Sequence, residues 1–232
     1  MLKPGRTYWF IITLVISLMG VSVDRALAAS LYIENPGFEA LDPLSCRPSR
    51  MWSCGDIPGW VMAGDEGTFY AYKDADSNGV YDEYYSPPSE RVAYSNGGVI
   101  SQTLTDLLAP DHLYTLTVDV GNRYQNYIAG RPFPEYSIEL LAGGVVLSPD
   151  TLTLPTPDYG YFDTATLTYF ASSDDPLLGQ SLGIRLISNG VQVNWDNVRL
   201  GNTAVPEPAT LLLLGSGLLG LAGFGRKKIQ VL

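Results

Sequence analysis

Apolar and polar residues alternate one for one through long parts of this chain. Tyr114-Thr115-Leu116-Thr117-Val118-Asp119-Val120 does so without a break. Tyr136-Ser137-Ile138-Glu139-Leu140 and Val191-Gln192-Val193-Asn194-Trp195-Asp196 repeat the pattern, and Thr164 to Tyr169 follows it less cleanly. A period of two puts one face of a strand in a core and the other toward water. Turn signals part these runs: Asn96-Gly97-Gly98, Gly143-Gly144, Pro155-Thr156-Pro157-Asp158 and Ser188-Asn189-Gly190. Asn189-Gly190, between 182–187 and 191–200, predicts a hairpin. No segment sustains a capped 3.6-residue stripe, apart from one turn near Thr105 to Leu108. Abundant tyrosine and threonine suit strands as well. The expected body is all-β, with eight to ten antiparallel strands in a two-sheet β-sandwich or jelly roll. In the last strand Val191, Val193 and Trp195 keep one phase, and Val198 and Leu200 the other. A bulge at Asp196-Asn197 reconciles them.

The two ends follow another pattern. Lys3 and Arg6 precede an apolar stretch from Tyr8 to Val23, and Ala26-Leu27-Ala28 offers a small-x-small cleavage site. Basic, apolar, then small is the order of a secretory signal peptide, so residues 1–28 are expected to be removed by signal peptidase. At the other end, Leu211 to Phe224 carries no charge and is followed by Arg226-Lys227-Lys228. With Ala209 and Thr210 this run is just short of the ~20 residues that span a bilayer core. The basic cluster belongs on the cytoplasmic side, and Pro206 and Pro208 keep a helix from running back into the body. The expected parts are a signal peptide (1–28), a β-sandwich domain (29–203) and a hydrophobic sorting helix with a basic tail (204–232).

Val205-Pro206-Glu207-Pro208, the apolar helix and Arg226-Lys227-Lys228 together resemble the PEP-CTERM sorting signal. The resemblance implies export through the inner membrane of a Gram-negative-type bacterium. It also implies tail processing by an exosortase, at least transient membrane contact, and a destination at the cell surface, outer membrane or extracellular matrix. A single-pass anchor with a proline-rich neck is the plainer reading of the same residues.

Charge narrows the partners. The chain carries a formal net charge of −10. Residues 29–203 hold eight basic and 22 acidic residues, or about −14. That disfavours nucleic acid and anionic lipid and is compatible with neutral glycans and divalent cations. Cys46 and Cys54, an even pair in an exported chain, read as a disulfide pinning a surface loop.

A second resemblance rests on short motifs at the two ends of the body. Asn35-Pro36-Gly37-Phe38-Glu39 opens it, Ile57-Pro58-Gly59-Trp60 follows, and Trp195-Asp196-Asn197-Val198-Arg199-Leu200 closes it. These are similar to galactose-binding-like jelly rolls, including carbohydrate-binding modules. In that family the two ends meet and often hold a structural calcium, which the resemblance carries onto Glu39 and Asp196. Independently, Asp74, Asp76, Asn78 and Asp82, with Gly79, occupy loop positions of an EF-hand-like calcium site. Tyr85 stands where a bidentate Glu is expected, and an acidic solvated turn accounts for the same residues.

Aromatic residues gather around that loop: Tyr70, Tyr72, Tyr81, Tyr84 and Tyr85, with Tyr124 and Tyr127 in another loop. Aromatic faces flanked by polar groups suit sugars, although each tyrosine taken alone reads more readily as a core or strand-surface residue. Trp60 and Trp195 read as core. His112, the one histidine, lacks a nucleophile motif, and no Gly-x-Ser-x-Gly, Walker loop or His-Glu-x-x-His occurs. These readings predict a non-catalytic exported protein that binds exopolysaccharide or another glycan, with structural calcium. A matrix protein without a defined sugar and a polysaccharide hydrolase are the alternatives.

Overall fold

The structure is a computed structural model, and it describes residues 28–40, 55–71, 91–124, 129–205 and 216–217. Among the described residues, twelve strands run in chain order. They are β1 (Ala29–Ser30), β2 (Val61–Ala63), β3 (Glu66–Tyr70), β4 (Arg91–Asn96), β5 (Val99–Leu107) and β6 (His112–Asn122). β7 (Tyr136–Ala142), β8 (Val145–Val146), β9 (Thr151–Thr153), β10 (Tyr161–Ala171), β11 (Ser181–Ser188) and β12 (Val191–Ala204) complete them. The excess over the expected eight to ten comes from strands of two or three residues, too short to show a period. Segment 105–107, read as a possible turn of helix, is the end of β5.

The strands form two antiparallel sheets. Sheet A has the order β3-β4-β12-β6-β10-β9, with β1 also paired to β12. Sheet B has the order β2-β5-β11-β7-β8. Alternation decides what lies between them. In β6, Tyr114, Leu116, Val118 and Val120 are fully buried, while the residues between them are partly exposed. Facing strands add Ile100, Leu104, Ile138, Leu140, Leu182, Ile184 and Leu186, closing the main core. Each such large side chain contributes about 1.5–3 kcal/mol on leaving water. Trp195 sits at the centre with no exposed surface. Its indole N–H donates to Ser95 Oγ at 3.1 Å, and the Tyr136 ring meets it edge-on at 5.7 Å. Trp60 is also buried, so both tryptophans are core residues, as their patterns indicated.

The chain ends meet. Ala29 pairs with Asn202, Leu31 N–H donates to Leu200 O at 2.8 Å, and Val198 N–H to Pro36 O at 2.9 Å. The bulge expected at 196–197 is present as a register shift between Asp196 and Arg199 against β6, with Asn197 at φ 49°. The hairpin expected at Asn189-Gly190 is not formed. β11 pairs with β5 and β7, whereas β12 pairs with β4, β6 and β1. The turn therefore carries the chain from one sheet to the other. Among the described residues, no helix is long and apolar enough to cross a membrane.

Candidate functional site

The bulge re-aims β12. Val193 and Trp195 point into the main core, so Asn194 and Asp196 point out from sheet A. They are nonetheless fully buried. Registers across the sheet show what surrounds them. One row on this outer face runs Phe162, Gly121, Asn194, Tyr94, Gly67. In the next row Asp196 lies opposite Asp119, which lies opposite Thr164. Asp196 follows Trp195, whose partner on β4 is Ala93, and so sits beside Val92, the partner of Phe69. Phe69, Ala71, Val92 and Phe162 form a second apolar cluster with Tyr94 packed on it. The Phe69 and Tyr94 rings lie 6.1 Å apart. Asp196 is thus a carboxyl on an apolar, aromatic face buried away from the main core.

Hydrogen bonds fix this carboxyl. Asp196 Oδ1 accepts the Asn197 amide at 2.7 Å. Asn197 is held in turn by Asp119, whose Oδ2 accepts Asn197 Nδ2 at 2.9 Å. Asp119 Oδ1 accepts from Arg199 Nη2 at 3.0 Å and from Thr164 Oγ1 at 2.8 Å. A Cβ on Gly37 would lie 3.7 Å from Asp196 Oδ1, so the 34–40 loop packs directly on the site.

The residues named from sequence fall unevenly. Glu39 and Asp196 come to the same end of β4: Glu39 Oε1 accepts the Arg91 amide at 2.9 Å, one residue before Val92. Each of the two carboxyls therefore already takes a backbone donor. Among the described residues, no group of three or more acidic, Cys or His side chains could hold a metal ion. Asp74, Asp76, Asn78 and Asp82, the pair Cys46 and Cys54, and Tyr72, Tyr81, Tyr84, Tyr85 and Tyr127 lie outside the described residues. So do Pro206, Glu207, Pro208, Arg226, Lys227 and Lys228. Tyr70 ends β3 opposite Arg91, Tyr124 is partly exposed just after β6, and Val205 closes the described part of the body. His112 opens β6 with Nδ1 2.6 Å from Pro110 O, away from the Asp196 face.

Sequence reasoning missed Asp119 and the Phe69, Val92, Phe162 cluster. Alternation within β12 did place Asn194 and Asp196 opposite Trp195. The signal left unused was two polar residues, Asn194 and Asp196, on the outward face of the central closing strand.

Comparison with known proteins gives this face a context. Residues 29–201 match the HpiC1-like family, described as HpiC1 cyclase. Residues 204–227 match the PEP-CTERM protein-sorting motif. The crystal structure of a Stig cyclase, Fisc, from Fischerella sp. TAU in complex with (3Z)-3-(1-methyl-2-pyrrolidinylidene)-3H-indole is similar at 32% identity. The match covers 78% of this chain and 100% of that one, with a TM-score of 0.59. A cyclase from Fischerella sp. TAU in complex with 4-(1H-indol-3-yl)butan-2-one matches with the same identity, coverage and TM-score. The CBM22-1 xylan-binding domain of Paenibacillus barcinonensis Xyn10C is 12% identical over 79% of this chain and 98% of that one, with a TM-score of 0.44. That likeness is too slight to bear on function. Among curated proteins, none matches.

The sorting motif marks the chain for exosortase-dependent export of the Gram-negative type. The resemblance to carbohydrate-binding modules gives way to a different family over the whole body. The expectation of a non-catalytic protein is overturned by the same finding. It rested on the lack of a nucleophile or metal motif, and a carboxyl enclosed only by the fold, such as Asp196, carries no such motif. With its body matched from residue 29 to residue 201, the chain belongs to the HpiC1-like cyclase family.

Proposed function

We propose that this chain is an exported cyclase that closes a ring in an apolar, alkene-bearing substrate seated on the outer face of sheet A. The observation that carries the reading is a fully buried carboxyl, Asp196, on an aromatic face in a chain of the cyclase family. Ring closure on such a face needs a proton donor and a shield for positive charge. The Asp196 carboxyl gives its proton to one alkene carbon, forming a C–H bond and leaving a cation on the other. A nucleophilic carbon of the same substrate attacks that cation and closes the ring. The proton then lost from the attacking carbon returns to the Asp196 carboxylate. The sum is an isomerisation, with no atom gained or lost. The aromatic rings of Phe69, Tyr94 and Phe162 gather on this face and would stabilise a passing cation. Burial excludes the water that would trap it.

The indole compounds bound by the Fischerella cyclases support an indole-bearing substrate. The sorting motif supports action outside the inner membrane, at the surface or in the matrix, after signal peptidase and exosortase processing.

The test is turnover of alkenyl indoles by the purified chain in D2O, read by mass spectrometry for a ring-closed isomer carrying deuterium. Asp196→Asn should cut the rate by about 10²–10⁴, the usual contribution of a general acid. Its near-ultraviolet circular dichroism should match wild type. An Asp196→Asn variant as fast as wild type, or product without solvent deuterium, would refute the assignment.

A further inference from the structure

The outer face of sheet B carries a concavity, apart from the Asp196 face. Its volume is about 410 Å³, and Ser101, Thr103, Leu141, Ser181, Gly183 and Arg185 line it. Registers explain its shape. One row across the sheet reads Val61, Ser101, Arg185, Glu139, and the next reads Thr103, Gly183, Leu141, Val146. Gly183 stands mid-strand at the centre of the sheet and leaves the dent. A glycine inside a strand weakens it and marks a bulge or a close approach by a ligand or another backbone; here the pairing of β11 with β5 also shifts register between Ser181 and Gly183. Its φ is not in the left-handed region, and a Cβ there would meet Gln102 O at 3.4 Å and Leu141 Cβ at 3.5 Å, ordinary contacts. Neither φ nor crowding therefore requires this glycine.

The lining chemistry names the ligand. Three hydroxyl-bearing residues, Ser101, Thr103 and Ser181, line the dent with Leu141, and Ser101 Oγ also donates to the carbonyl of exposed Val61 at 3.5 Å. Arg185 is bound to Glu139 at the rim, Nη2 to Oε2 at 2.5 Å, so the dent carries no net charge. The pair presents a donor and an acceptor side by side, which matches two neighbouring hydroxyls of a sugar ring. The acidic body repels anionic polymers. The volume falls in the usual range for small-molecule sites.

We infer that the Gly183 dent is a subsite for a neutral carbohydrate unit, which would hold this exported protein on a glycan. The proposal is independent of the cyclase reading and uses none of its residues.

Affinity electrophoresis of the full-length chain in mild detergent tests it, in native gels containing laminarin, xylan or β-1,4-galactan. At least one gel should retard the protein. Gly183→Val, which fills the dent, and Arg185→Gln should each lower the association constant at least tenfold. Gly183→Ala, the smaller change, should lower it less and decides the matter if Gly183→Val does not fold. Asp196→Asn should bind as wild type, so failure of the cyclase assay leaves this result standing. Passage through all three gels without retardation, or retardation unchanged in Arg185→Gln and both Gly183 variants, would overturn the subsite.

Discussion

Asp119 is the residue whose removal most directly tests how the bulge is held. Asp119→Ala deletes the acceptor of three side-chain donors: Asn197 Nδ2, Arg199 Nη2 and Thr164 Oγ1. These do not count equally. The Arg199 side chain is 49% exposed and that of Asp119 14%, so water replaces much of that ion pair. Exposed pairs of this kind are worth about 0.2–1 kcal/mol. Thr164 is exposed and also finds water. Asn197 is partly buried within the bulge at positive φ, where losing a partner costs about 1–3 kcal/mol. Together the variant should lose about 2–3 kcal/mol. For a domain of this size that lowers the melting temperature by roughly 4–12 °C. Arg199→Gln, which removes only the exposed partner, should lose less than about 1 kcal/mol. Urea melts of the two variants and of the double variant measure the coupling. If Asp119→Ala stays within about 0.5 kcal/mol of wild type, the ordinary range for an inconsequential surface change, the bulge is held by something else. The reasoning about Asp196 positioning then fails with it.

Glu66, Gly98 and the acidic 74–82 loop offer three more tests. Glu66 is buried at the turn between β2 and β3, and burial raises its carboxyl above the ordinary 4.5, outweighing the Val99 amide beside it. Its contribution is therefore full below pH 4.5 and lost as the pH rises through the raised native value, and Glu66→Gln should flatten the dependence of stability on pH. Urea melts from pH 4 to 8 show this, and superimposable profiles for the two proteins would contradict it. Gly98→Ala should lose about 1–3 kcal/mol as an overpacked site, because a Cβ there would lie 1.5 Å from Glu66 Oε1. A thermal melt unchanged from wild type would show that the Glu66 side chain moves aside freely. We propose structural calcium on the 74–82 loop, where Asp74, Asp76, Asn78 and Asp82 have the spacing of oxygen ligands. Millimolar calcium should then raise the melting temperature and EDTA reverse it, while no heat in titration calorimetry removes the idea.

The strands were legible because β6 and β7 alternate so regularly that burial follows from periodicity alone. The bulge was legible for the same reason, as a break in phase. The destination of the Asn189-Gly190 turn was not. A tight turn reports that the chain reverses, but which neighbours the two strands choose depends on β4, β5, β6 and β7, far away in sequence. Asp119 reads locally as an ordinary polar position of an alternating strand. Its importance comes from Asn197, 78 residues away. Asp196 was singled out through its motif and assigned to calcium, because a sequence cannot show that an outward-pointing position is enclosed. Glu66 gave no warning either, since its surroundings are the backbones of two glycines in separate turns, Gly64 and Gly98.

The place of β12 has a consequence for folding. It is the last strand to be made, yet it lies in the interior of sheet A, bonded to β4, β6 and β1. Until β12 is in place, β4 and β6 lack the strand that lies between them, and β1 lacks its partner. The sandwich therefore cannot zip up progressively from its beginning. Its completion waits on pairing between residues far apart in sequence, the kind of non-local contact that makes β folds slow to form.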